Sequence, residues 1–143
     1  MNHHDVHSVA LPLPVGITFE VPRAYAAYCG GRPVRVHASS DADDDLTIQW
    51  NEQFISFTHS GTTVEVDRES VLGLVVNDSE QISGMEACTL RIGLTDIDGS
   101  KASYPILSSN PRMKTTFVET VDKMRGLSLP VAIFSSVQSM LRE

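Results

Sequence analysis

Short runs of alternating apolar and polar residues follow one another between residues 46 and 107, and no other feature constrains the fold as strongly. A period of two residues indicates extended strands with one buried face, and residues that favour turns separate the runs. In the first run Leu46, Ile48 and Trp50 share one face, and Asp98 with Gly99 forms a hairpin signal late in the series. The sequence therefore predicts a mostly β, antiparallel domain.

The segments around this series extend the β pattern. Every odd position of Val9–Val21 is apolar, which predicts an extended segment whose prolines place its first half at a sheet edge. Pro33–Ala38 alternates in the same way, and Val71–Val76 is apolar throughout, as in a strand buried on both faces. We predict two helical turns at Pro22–Cys29 and a polar loop at Asn77–Gly84.

A helix is expected after the last strand of the series. Asn110 is a good N-cap residue, Pro111 occupies the favoured first position, and Gly126 ends the pattern. We expect the sheet to curl into a sandwich or partial barrel that this C-terminal helix caps, because a lone sheet would expose apolar surface and unpaired edges. Apolar residues spaced by four also predict a second, short helix over Leu129–Leu141. The apolar stripe of the first helix consists of Met113, Phe117, Val121 and Met124.

Length and composition predict one folded domain. The 143 residues fit a single domain, with residues 1–8 as a mobile polar tail and residues 9–143 as the β-rich part. The chain has 11 basic and 18 acidic residues, and its net charge of −7 disfavours binding to nucleic acid or to an anionic membrane. Cys29 and Cys88 allow one disulfide, although two reduced thiols are the simpler interpretation. Without a signal peptide or a long apolar run, a cytoplasmic location is expected.

An acidic segment offers a candidate cation site. Asp41, Asp43, Asp45 and Glu52 have the spacing of ligands in a helix–loop–helix calcium site, where carboxylate oxygens surround the ion. Leu46 stands where such a loop requires glycine, and the flanking segments are typical of strands rather than helices. We therefore interpret the segment as an acidic loop and expect neither a bound metal nor a cofactor.

The N-terminus offers a second set of metal ligands. A free amine followed by His3 at the third position suits square-planar copper(II) or nickel(II), and His4 and His7 could assist. A disordered tail is the interpretation that we favour.

The chain contains no recognised catalytic motif. His37 and His59 are the histidines outside the tail, and the serine that follows His59 is a neighbour in sequence only. Glu65, Asp67 and Glu69 alternate, so we expect them to lie on one solvated strand face rather than to act as an acid–base pair. We therefore predict a protein that is not an enzyme.

Leu46–Arg125 resembles the pleckstrin-homology-like superfold, in particular its small bacterial domains. The segments that carry the resemblance are LTIQW…FISFT, TTVEVDRESVLGLVV, TLRIGLTDIDGSKASYPIL and the helix MKTTFVETVDKMRG. The resemblance implies a roll of strands with a C-terminal helix, and a role in binding peptides or partner proteins or in self-assembly. Lipid-binding members hold headgroups with basic residues near the first hairpin, whereas this hairpin has Asn51, Glu52 and Gln53.

Apolar residues near the C-terminus are the remaining candidate for a functional surface. Ile133, Phe134, Val137 and Leu141 could pack on the chain's own sheet or contact a second chain. The sequence thus predicts a protein-interaction or scaffold module that binds a protein partner or associates with itself as a homo-oligomer. The alternative is a small-ligand-binding β-barrel with its pocket between the sheet and the C-terminal helix.

Overall fold

Ten strands and two helices make up the part of the chain that the computed structural model describes, which is residues 5–21, 33–40, 44–82 and 84–142. The strands are β1 His7–Pro12, β2 Ile17–Phe19, β3 Val34–Ala38, β4 Asp45–Trp50, β5 Phe54–His59, β6 Thr62–Asp67, β7 Val71–Ile82, β8 Met85–Thr95, β9 Lys101–Ser109 and β10 Ile133–Phe134. The helices are α1 Lys114–Arg125 and α2 Val137–Leu141, and short 3₁₀ helices span Arg68–Ser70 and Pro111–Met113.

Strands β1, β4, β5, β6 and β3 form sheet A in that order, and all neighbouring pairs are antiparallel. The turn between β5 and β6 places Ser60 and Gly61 at φ of 48° and 86°, the left-handed geometry of a tight hairpin. The resulting register brings Ile48, Phe57 and Val64 side by side, and each is at most 4% exposed. The apolar residues of these alternating strands therefore form the inner face of sheet A.

Strands β10, β7, β8, β9 and β2 form sheet B, in which β10 runs parallel to β7 and the other neighbours are antiparallel. The loop predicted at Asn77–Gly84 is wrong for most of its length, because β7 continues to Ile82 and pairs with β8 across a bulge. Glu80 in this extension accepts hydrogen bonds from Thr89 and Arg91 of β8. These polar cross-strand pairs stabilise a hairpin that the hydrophobic pattern of the sequence does not predict.

The two sheets and α1 enclose one hydrophobic core, which confirms the mostly β fold with a capping C-terminal helix. Phe117, Val121 and Met124 are at most 1% exposed and pack into this core. The Asn110 side chain accepts a hydrogen bond from the Arg112 amide at 2.9 Å, as expected of a cap, and a 3₁₀ turn precedes the α-helix. The apolar face of α1 therefore occupies space between this helix and the two sheets.

The helix predicted over Leu129–Leu141 is wrong in its first half. Ser128 has a φ of 55°, a left-handed geometry that interrupts a helix, and Pro130 follows two residues later. Ile133 and Phe134 then pair with β7 as β10, and only Val137–Leu141 is helical, with Ser136 as its N-cap. Within the described residues, no helix is long and apolar enough to cross a bilayer.

The N-terminal arm is extended, as predicted, but it divides between the two sheets. β1 is an edge of sheet A and β2 is an edge of sheet B, and Gly16 turns the chain between them with a φ of 97°. The mobile tail predicted for residues 1–8 is wrong at its last two positions, because His7 and Ser8 pair with β4. The helical turns predicted at Pro22–Cys29 lie outside the described residues.

Candidate functional site

The outer face of sheet A consists of two polar rows that cross all five strands. One row contains Ser8, Gln49, Ser56, Glu65 and Arg35, and the next contains Ala10, Thr47, Thr58, Thr63 and His37. Apart from Ala10, these residues are the polar positions of the alternating strands whose apolar positions form the core, since neighbouring residues of a strand point to opposite faces. We call this surface the polar face.

Two adjoining cavities open on the polar face. The first has a volume of about 410 Å³ and is bordered by Arg35, Gln53 and four carboxylates. The second has a volume of about 420 Å³ and lies over Thr47, Gln49, Ser56, Thr58 and Thr63. Phe54 and Glu65 border both cavities, so the two form one continuous groove across β3 to β6. The four carboxylates of the first cavity are Glu52, Glu65, Asp67 and Glu69.

Arg35 holds two of these carboxylates in place. Its Nη2 donates to Glu65 Oε2 at 2.7 Å and to Asp67 Oδ1 at 2.8 Å, and its Nε donates to Glu65 Oε2 at 3.0 Å. The hydrogen bonds to Asp67 and then to Glu65 raise the pKa of the guanidinium above its ordinary value. Sequence reasoning identified Glu65 and Asp67 as one strand face but missed Arg35, which lies 30 residues before Glu65.

The groove retains hydrogen-bonding capacity that the described residues do not use. Ser56 is 3% exposed, borders the second cavity and forms no side-chain hydrogen bond with another described residue. In the neighbouring row, Thr58 and Thr63 bond to each other through their hydroxyls at 2.7 Å. The Ser56 hydroxyl can therefore bond to a group that enters the cavity.

The rim of the first cavity presents acceptors. Glu52 and Glu69 are exposed and form no hydrogen bond or ion pair with any other described residue. Oε1 of Glu65 is 3.7 Å from Nε2 of His37, a residue with a half-exposed side chain. Glu69 lies in the 3₁₀ helix after β6, so it is not on the strand face predicted for it. A molecule that fits this cavity must mainly donate hydrogen bonds.

Of the four candidate calcium ligands, the two that lie within the described residues do not come together. Asp45 begins β4 and Glu52 follows its end, so a six-residue strand of roughly 20 Å separates them. Asp41 and Asp43 lie outside the described residues, as do His3 and His4 of the N-terminal candidate. His7 stacks on Trp50 at a centroid distance of 5.4 Å. Within the described residues, no three His, Cys, Asp or Glu side chains form a group that could hold a metal ion.

His59 and the Cys88 thiol each contact neighbouring groups of the fold. His59 places Nδ1 3.3 Å from the carbonyl oxygen of Asp45, and its ring lies edge-on to Phe19. The thiol of Cys88 is buried and donates to the Asp78 carbonyl oxygen at 2.9 Å. Burial raises the pKa of this thiol, which keeps it protonated and poorly nucleophilic at neutral pH. Cys29 lies outside the described residues.

The apolar candidates near the C-terminus divide between the two faces of sheet B. Ile133 packs against the core, whereas Phe134 and Met140 lie over Gly73 and Gly93 on the outer face. Ile133, Phe134, Val137 and Leu141 are half-buried, and Met140 is fully buried. Two glycines make room for this segment: a Cβ on Gly73 would lie 2.4 Å from the Phe134 ring, and one on Gly93 would lie 2.6 Å from Met140 Cε. The segment therefore covers its own sheet with much of its apolar surface.

Comparison of the chain with protein-family models, with curated proteins and with solved structures finds no significant match. The function must therefore be argued from the geometry of the polar face.

Proposed function

We propose that the protein is a non-enzymatic interaction module and that its polar face binds an extended polypeptide segment of a partner protein. The observation that carries this proposal is the groove across four strands, which combines two cavities with a lining of polar side chains, Ser56 among them. The inner strands β4, β5 and β6 are each paired on both sides, so a segment lying across them on this face would be recognised through side chains.

The order of elements supports the resemblance to pleckstrin-homology-like domains as part of this proposal. A meander of β4, β5 and β6 leads through the 3₁₀ helix to a second meander of β7, β8 and β9, and α1 follows. The proposal also includes self-association through apolar side chains that stay partly exposed on sheet B, among them Phe134 and Val137. A cytoplasmic setting is proposed with it, on the basis of the reduced Cys88 thiol.

A selection of random peptides tests the binding function. Peptides displayed on phage are selected on the immobilised protein, synthesised with a fluorescent label and measured by fluorescence anisotropy. Thr47→Tyr places a large ring over the second cavity at a half-buried strand position, where tyrosine is well tolerated. Thr18→Tyr in β2 is the matched control, since Thr18 is exposed on a strand of sheet B.

We expect selected peptides to bind the native protein and Thr18→Tyr equally and to bind Thr47→Tyr at least about tenfold more weakly, with unchanged circular dichroism spectra. Ten-fold corresponds to about 1.4 kcal/mol of binding free energy. Failure to enrich any peptide, or equal affinity for Thr47→Tyr, would contradict the proposal.

A further inference from the structure

We infer that the partner segment recognised by the polar face is basic, with arginine or lysine side chains that enter the cavity between Glu52, Glu65, Asp67 and Glu69. This inference rests on the proposed function, and it adds the charge and chemical class of the partner.

Charge complementarity is the first argument. Among the described residues, four carboxylates and one guanidinium, that of Arg35, border the first cavity. Arg35 bonds to Oε2 of Glu65 and Oδ1 of Asp67, which leaves Glu52 and Glu69 without a cationic partner among the described residues. Guanidinium and ammonium groups donate hydrogen bonds and accept none, so they complement a cavity rim whose groups mainly accept hydrogen bonds.

The spacing of the carboxylates distinguishes an organic cation from a metal ion. The described acids do not converge into a group that could hold a metal, although they surround one cavity of about 410 Å³. Carboxylates spread around such a volume suit long side chains, which place their charges at separated points.

Ser56 provides an independent observation that indicates a polypeptide. Its exposed fraction is 3%, and its hydroxyl, which has no hydrogen-bond partner among the described residues, borders the cavity that adjoins the acidic one. Ser56 and Glu65 are direct cross-strand partners, so a segment seated on Glu65 passes over Ser56. A peptide amide or carbonyl group can bond to this hydroxyl, whereas Ser56 does not border the first cavity, where the cation lies.

The charge of the whole chain favours a basic partner over a second copy of this chain on the polar face. The net charge of −7 repels another copy at long range and attracts a cationic segment, which raises its association rate.

Labelled peptides of defined charge test the inference. The probe is a fluorescein-labelled hexapeptide that alternates glycine and arginine, and the matched probe replaces each arginine with neutral citrulline. Anisotropy titrations use the native protein, the double variant Glu52→Gln with Glu69→Gln, and the control Glu86→Gln with Glu119→Gln, whose residues are exposed and outside the groove.

We expect the arginine probe to bind the native protein and the control at least about tenfold more tightly than the citrulline probe. The double variant should weaken binding of the arginine probe by about twofold to thirtyfold, because each of the two exposed ion pairs contributes about 0.2–1 kcal/mol. Raising the salt concentration should weaken binding to the native protein more than binding to the double variant.

Three results would overturn the inference. If the citrulline probe binds as tightly as the arginine probe and Thr47→Tyr weakens both, the polar face binds peptides without a charge preference and only the proposed function stands. If neither Thr47→Tyr nor the double variant alters binding of the arginine probe, both proposals fail. If spermidine binds as tightly as the arginine probe and displaces it, the cavity recognises small cations rather than a polypeptide.

Discussion

Replacing Gly93 with alanine tests how the C-terminal segment is held on sheet B. Gly93 is buried in β8, and a Cβ at this position would lie 2.6 Å from Met140 Cε and 2.8 Å from Met140 Sδ. Met140 is completely buried, so its side chain has little space into which it can withdraw. Gly93→Ala should therefore displace the segment that contains α2.

The expected effect changes sign with the residue at position 140. In the native chain, overpacking destabilises by about 1–3 kcal/mol, partly offset by about 0.4–1 kcal/mol from the smaller conformational entropy of unfolded alanine. Met140→Ala alone should cost about 2–5 kcal/mol through loss of a buried side chain. In that background the new methyl group enters vacated space, so Gly93→Ala should stabilise by about 0.4–1 kcal/mol.

Urea unfolding followed by circular dichroism gives the free energy of unfolding of the four proteins in this cycle. The coupling energy between the two positions should be about 1–3 kcal/mol. Met124→Ala, on α1 in the core on the other side of sheet B, is the control background, in which Gly93→Ala should destabilise as it does in the native chain. Equal effects of Gly93→Ala in the native and Met140→Ala backgrounds would refute the reasoning.

Three further predictions concern acid stability, the C-terminal segment and self-association. Burial alone would raise the pKa of Glu80, but hydrogen bonds from Thr89 and Arg91 outweigh it and lower the pKa below 4.5. The charged form therefore stabilises the fold above about pH 4.5, and this contribution is lost as the pH falls through the lowered pKa. Glu80→Gln should reduce the free energy of unfolding by about 1–3 kcal/mol at neutral pH, and urea titrations should show the difference shrinking in acid; a constant difference would contradict this. Deleting residues 129–143 should uncover the outer face of sheet B and increase binding of a hydrophobic fluorescent dye, whereas unchanged fluorescence with native stability would show that the segment covers nothing. Light scattering should show a homo-oligomer of the full chain whose mass falls toward that of a monomer on dilution; a monomer at all concentrations would remove the proposal of self-association.

Some predictions failed because a local pattern suits more than one structure. Apolar residues at 133, 137 and 141 fit a helix, yet Ile133 and Phe134 are held as a strand by β7, which lies nearly 60 residues earlier. The polar stretch after Val76 suggests a loop, yet it pairs with β8 because Glu80 bonds to Arg91. In both cases distant pairing outweighs local propensity.

Only part of the candidate site could be predicted from the sequence. The alternation indicated which residues of β4, β5 and β6 face away from the core, and it placed Glu65 and Asp67 together. It could not indicate that β3 lies beside β6 rather than beside β4, and this placement brings Arg35 to both carboxylates. Nor could it show that Ser56 is only 3% exposed, since burial of a polar position depends on the strands on either side.

The sequence by itself determined most of the strands, the tight turns, the cap before α1 and the apolar and polar faces of the strands that it predicted. These features depend on residues within a few positions of one another, where backbone geometry and periodicity act directly. Only the tertiary structure decided the strand order, the groove on the polar face and the seat of the C-terminal segment on Gly73 and Gly93. Each of these arises from contacts between residues far apart in the chain, and a local pattern contains no information about which distant strand will become a neighbour.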